Sequence, residues 1–142
     1  MCYSIYLSTD SNKDLSNENN DLLHFKQEEI KVPIQSILKN EHQWYLGSKS
    51  ICSCTFRHLH SIELGFSEPV DWYPEDDDEI AATLSFIEIA RQIVEQGHQL
   101  DCIDIWEGTA EADIKELRID LNDLRDDEFR FFENYHFIFT SQ

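Results

Sequence analysis

The densest group of reactive side chains in this sequence is Cys52-Ser-Cys54-Thr-Phe-Arg-His58-Leu-His60, two thiols and two imidazoles within nine residues. Zinc accepts thiolate and imidazole ligands together, which makes Cys52, Cys54, His58 and His60 the candidate metal set. Their spacing opposes that use. On a strand Cys54 and His58 lie about 13 Å apart at roughly 3.3 Å per residue, and zinc bonds reach only about 2.0–2.3 Å. The same strand puts Cys52, Cys54, Phe56, His58 and His60 on one side, which reads as a core face running out to a rim. The expectation is therefore no metal and no cofactor. A small metal-binding domain or enzyme built on the Cys/His cluster stands as the alternative.

A cysteine nucleophile would need Cys52, Cys54 or Cys102 beside one of the six histidines, in a positive setting that lowers the thiol pKa. The acid-rich sequence around Cys102 offers the opposite field. Four cysteines in these apolar settings also fall short of a secreted disulfide framework, and they read as reduced core residues. Asp101, Asp104 and Glu107 could hold a divalent cation or serve as acid and base. The run Asp76-Asp77-Asp78 lacks the glycine and spaced oxygen ligands of a calcium loop and is better suited to helix capping. With four glycines in 142 residues, no phosphate-cradling loop or serine elbow is present. No catalytic residue is assigned.

The charge is lopsided. Of a formal net −18, residues 1–62 contribute −1, from seven acids against six Lys or Arg, whereas residues 63–142 carry 22 acids and five bases. Such a field repels nucleic acid and anionic membranes and draws in cationic partners. It peaks between Glu68 and Glu79, where seven acids fall in twelve residues with Trp72 and Tyr73 set among them on a proline-bounded loop. Aromatics anchor protein interfaces and flanking carboxylates select and steer a basic partner. The expected contacts are Glu68, Asp71, Trp72, Tyr73, Asp76, Asp77 and Asp78. An opposing reading folds Trp72 and Tyr73 back over the core as a lid. A second acidic segment runs from Asp120 to Glu128.

These groups need a scaffold, and it centres on Tyr73 to Gly97, a long helix (about 75–97) with an unusually broad apolar face. Ile80, Ala82, Leu84, Phe86, Ile87, Ile89, Ala90, Ile93 and Val94 leave only a narrow polar strip of Ser85, Glu88, Gln92, Glu95 and Gln96. Pro74 and the acids from Glu75 to Glu79 suit its N-terminus, and Gly97 its C-cap. Strands are expected at Cys2–Ser8, at Gln43–Leu46 and Ser50–Arg57 as a hairpin about Gly47-Ser48, at Leu100–Trp106 in the sheet interior, around Leu117–Leu121, and at Tyr135–Phe139. Leu22–Phe25 could add a strand and Pro33 could open a short helix through Leu38. A polar mobile loop covers about 9–21, and Asp126–Glu133 reads as a short helix carrying Phe129 and Phe132.

The fold expected is α+β, a single domain over 1–142 with a mostly antiparallel sheet of five or six strands, one long buried helix on one face and one or two short helices. With no basic-then-apolar leader and no membrane-length apolar run, the expected address is the cytoplasm. The leading functional expectation is an acidic interaction protein, an immunity or inhibitor protein that neutralises a basic toxin such as a nuclease. Neither nucleic acid nor membrane is an expected partner, and a homodimer is a third possibility.

Overall fold

The computed structural model describes residues 3–27, 30, 34–48, 53–59, 77–106, 114–124, 129–132 and 134–141. Strands β1 (Tyr3–Thr9), β2 (His24–Lys26), β3 (His42–Gly47), β5 (Leu100–Trp106), β6 (Lys115–Asp120) and β8 (Tyr135–Thr140) form one sheet in the order β2-β3-β1-β5-β8-β6. All its pairs are antiparallel except β6 with β8. A two-stranded parallel piece joins β4 (His58–Leu59) to β7 (Phe131–Phe132). The α+β class and the mostly antiparallel sheet agree with the sequence reading.

The long helix is α2, Asp77–Glu95. It buries Ala82, Phe86, Ile87, Ile89, Ala90, Ile93 and Val94, together with one polar residue that the apolar stripe does not announce, Thr83. The Thr83 hydroxyl donates to the Glu79 carbonyl and accepts the Arg57 amide, hooking the chain before β4 onto the helix. At the other end Gly97 takes φ +90. Its N–H reaches the Val94 carbonyl and the His98 N–H reaches Ile93, the paired bonds of a Schellman cap.

Strand alternation sorts the sheet into two faces. Ile5, Leu7, Trp44, Leu46, Leu100, Cys102, Phe137 and Phe139 meet α2 and a phenylalanine cluster from β7. The opposite face, with Ile103 at its centre, is covered by Ile30 and Leu38 around a one-turn helix α1 (Ile34–Ile37). A strand buried on both sides is what the apolar residues of β5 require.

Three expectations are corrected. Residues 53–56 form a turn, so the second arm of the hairpin is not a strand beside β3; the neighbours of β3 are β1 and β2. The reason is Ser53, whose hydroxyl accepts the Ile5 N–H at 2.9 Å and donates to the Leu46 carbonyl at 2.5 Å, inserting itself between paired strands. Phe129 and Phe132 sit on an extended segment ending in β7, because the aromatic core they enter lies against the sheet. The polar segment after β1 contains a 3-10 turn at Leu15–Glu18, capped by Asp14, with Leu15 fully buried. No helix among the described residues is long and apolar enough to cross a membrane.

Candidate functional site

Strand β5 carries Asp101 and Asp104, both buried. Three positions apart on a strand, they point to opposite faces, so they cannot share a cation or divide acid and base roles in one site. Each instead meets a histidine on its own side of the sheet. Glu107 lies outside the described residues.

On the helix face, His58 of β4 lies against Asp104. Its Nδ1 donates to Asp104 Oδ2 at 2.8 Å and its Nε2 donates to the Ser53 carbonyl at 2.7 Å, while Tyr3 stacks flat on the ring at 3.9 Å. Two acceptors on two ring nitrogens fit the imidazolium. Burial is the largest influence on the His58 pKa and lowers it. The Asp104 charge and hydrogen bond, the Ser53 carbonyl and the Glu79 charge outweigh it, and the pKa is raised above 6.5. With both nitrogens donating, His58 has no lone pair for a metal. Cys54 lies in the turn before it, not on a shared strand face, while Cys52 and His60 fall outside the described residues. Among the described residues no group of three or more His, Cys, Asp or Glu is placed to hold a metal ion.

On the opposite face, Asp101 is the hub of a second cluster. It accepts from His136 Nε2 at 2.6 Å, from the Lys39 amide at 3.0 Å, from Asn40 Nδ2 at 3.1 Å and from the Ser8 hydroxyl. The order is Ser–Asp–His, with the carboxylate in the middle, so the histidine is not placed to take a proton from the serine. A nucleophilic triad needs the histidine between the other two. The cluster is a splint: it fastens the residues after α1 to β1, β5 and β8. Cys102, between the two acids, is fully buried, and burial followed by the charges of Asp101 and Asp104 pushes its thiol well above the ordinary range. That removes it as a nucleophile at neutral pH.

No family model, curated protein or solved structure matches this chain.

The acidic surface is the remaining candidate. Asp77 and Asp78 open α2, Asp77 exposed and Asp78 half-buried, where their charge also offsets the helix dipole. Glu68, Asp71, Trp72, Tyr73 and Asp76 lie outside the described residues. Further along α2, Glu88 and Glu95 are exposed. Arg91, between them, reaches across to the turn after β6, donating to the Leu121 carbonyl at 3.0 Å and the Leu124 carbonyl at 2.7 Å. This contact brings the start of the second acidic segment, with Asp120 and exposed Asp123, alongside the helix. The polar strip of the helix flagged Glu88 and Glu95; nothing in the sequence marked Arg91 as the link.

Proposed function

We propose that this protein binds and neutralises a basic protein, in the form of an immunity protein against a cationic toxin such as a nuclease. The observation that carries the reading is the Arg91 bridge, which sets the start of the second acidic segment beside the stretch of α2 that exposes Glu88 and Glu95, in a half of the chain with net charge −17. A nuclease site is built to receive a polyanion, and an apposed acidic surface can occupy it. The histidine–aspartate pairs support the reading indirectly, because each is committed to packing. The contact set is Glu68, Asp71, Trp72, Tyr73, Asp76, Asp77 and Asp78, extended along α2 by Glu88 and Glu95 and across to Asp123.

The test is capture from the native cell with salt elution, identification of the retained protein and assay of its activity with and without this chain. A basic protein whose activity is blocked is expected. Asp77→Lys/Glu88→Lys/Asp123→Lys should fold normally yet slow association, and the loss should shrink as salt rises. Association equally fast for the reversed variant would defeat the proposal.

A further inference from the structure

Where β5 begins and β8 ends, a cleft of about 550 Å³ opens beside the loops that follow α1 and α2. Small-molecule sites span roughly 300–1,000 Å³. Its charge runs against that of the chain. In a protein of net −18, the ionisable side chains that line this cleft among the described residues are Lys39, His98, Arg118 and a single acid, Asp101.

That acid is already committed, with four donors on its carboxylate and only 1% of its surface exposed. Register also keeps it from Arg118. Arg118 pairs with Ile138 and Ile138 with Asp101, so the two charged residues stand two strands apart, about 10 Å, with an apolar residue between them. Lys39 is partly answered by Glu116 at 3.5 Å, and the His98 ring by Asp10 at 3.3 Å. Arg118 is exposed and has no ion pair or hydrogen bond among the described residues. One uncommitted guanidinium therefore stands beside the half-buried Ile138 on the face of the sheet opposite α2.

We propose that this cleft binds a small organic carboxylate, its charged end on the Arg118 guanidinium and its apolar body against Ile138 and its neighbours. A guanidinium fork matches a planar carboxylate with two parallel hydrogen bonds. A single free cation among the described residues suits a monoanion. A phosphate dianion would require Lys39 and His98 to leave their present partners, inside a field that opposes each added negative charge. The site uses none of the residues assigned to the basic partner, so either can fail without the other.

The test is a two-dimensional NMR titration with phenylacetate, its neutral isostere phenylacetamide, and inorganic phosphate. Phenylacetate should give saturable shifts at the Arg118 side chain, the Ile138 methyls and the Ser141 amide, with little response to the other two. Arg118→Gln, on an exposed strand position, should weaken phenylacetate binding at least about tenfold while the remaining spectrum stays native. Lys26→Gln, on the far edge strand, should leave it unchanged. Equal shifts from acid and amide, undiminished binding by Arg118→Gln, or tighter binding of phosphate would each overturn the assignment.

Discussion

His58 and Asp104, 46 positions apart in sequence, meet at 2.8 Å with both side chains fully withdrawn from solvent. The raised His58 pKa means that the folded state holds this proton more tightly than the unfolded chain, where histidine titrates near 6.5. The stabilisation is therefore complete below that value and fades as pH rises through the higher folded pKa. Replacing His58 with Gln should cost about 3–5 kcal/mol, because it leaves a buried carboxylate without its cation. Urea midpoints at about pH 6 and about pH 9 give the linked readout: the gap between wild type and His58→Gln should narrow at the higher pH. A gap of constant size would contradict the imidazolium.

Gly97 supplies a separate prediction, confined to the helix end. Its φ of +90 lies where side chains are strained, and a Cβ there would meet nothing within 4 Å, so conformation alone sets the cost. Gly97→Ala should lower stability by about 1 kcal/mol, a fall of roughly 3 °C in Tm. A much larger loss would mean that the Schellman bonds themselves had broken.

Much of the scaffold was legible because local periodicity and burial agree. The stripe of α2, the alternation in β1 and β8 and the doubly apolar β5 each name their own surroundings. Gly97 announced its cap. What could not be read is non-local. Ser53 holds its turn by bonding Ile5 and Leu46, and Phe129 and Phe132 have a spacing that suits a helix, yet the aromatic core that recruits them lies elsewhere in sequence and draws them into β7 and the segment before it. For the site, the sequence reads Asp101 and Asp104 as possible partners on one cation; their separation by three positions on β5, which puts them on opposite faces, is what rules that out. Their partners His58 and His136 come from other strands, and no spacing rule identifies them.

Asp101 tests the splint. Its Oδ1 receives Ser8 and Asn40, and its Oδ2 receives Lys39 and His136. An asparagine has one acceptor oxygen, so in either orientation its amide faces an N–H that can only donate, that of Asn40 Nδ2 or of the Lys39 backbone. Asp101→Asn should destabilise by about 2–4 kcal/mol. Amide exchange should accelerate most at Lys39 and Asn40, with α2 changed only in step with global stability. Uniform acceleration across the chain would argue against a local fastening.

Ser53 separates two roles within one residue. Its hydroxyl bridges the Ile5 N–H and the Leu46 carbonyl, while its own carbonyl receives His58 Nε2. Ser53→Ala removes only the bridge, stranding two buried backbone groups at a cost of about 1–3 kcal/mol. The carbonyl is untouched, so the pH-linked gap between this variant and its His58→Gln double should match the gap seen in the wild-type background. If Ser53→Ala instead abolishes that gap, the hydroxyl is what positions the turn beneath His58, and the His58–Asp104 pair depends on the β1–β3 seam.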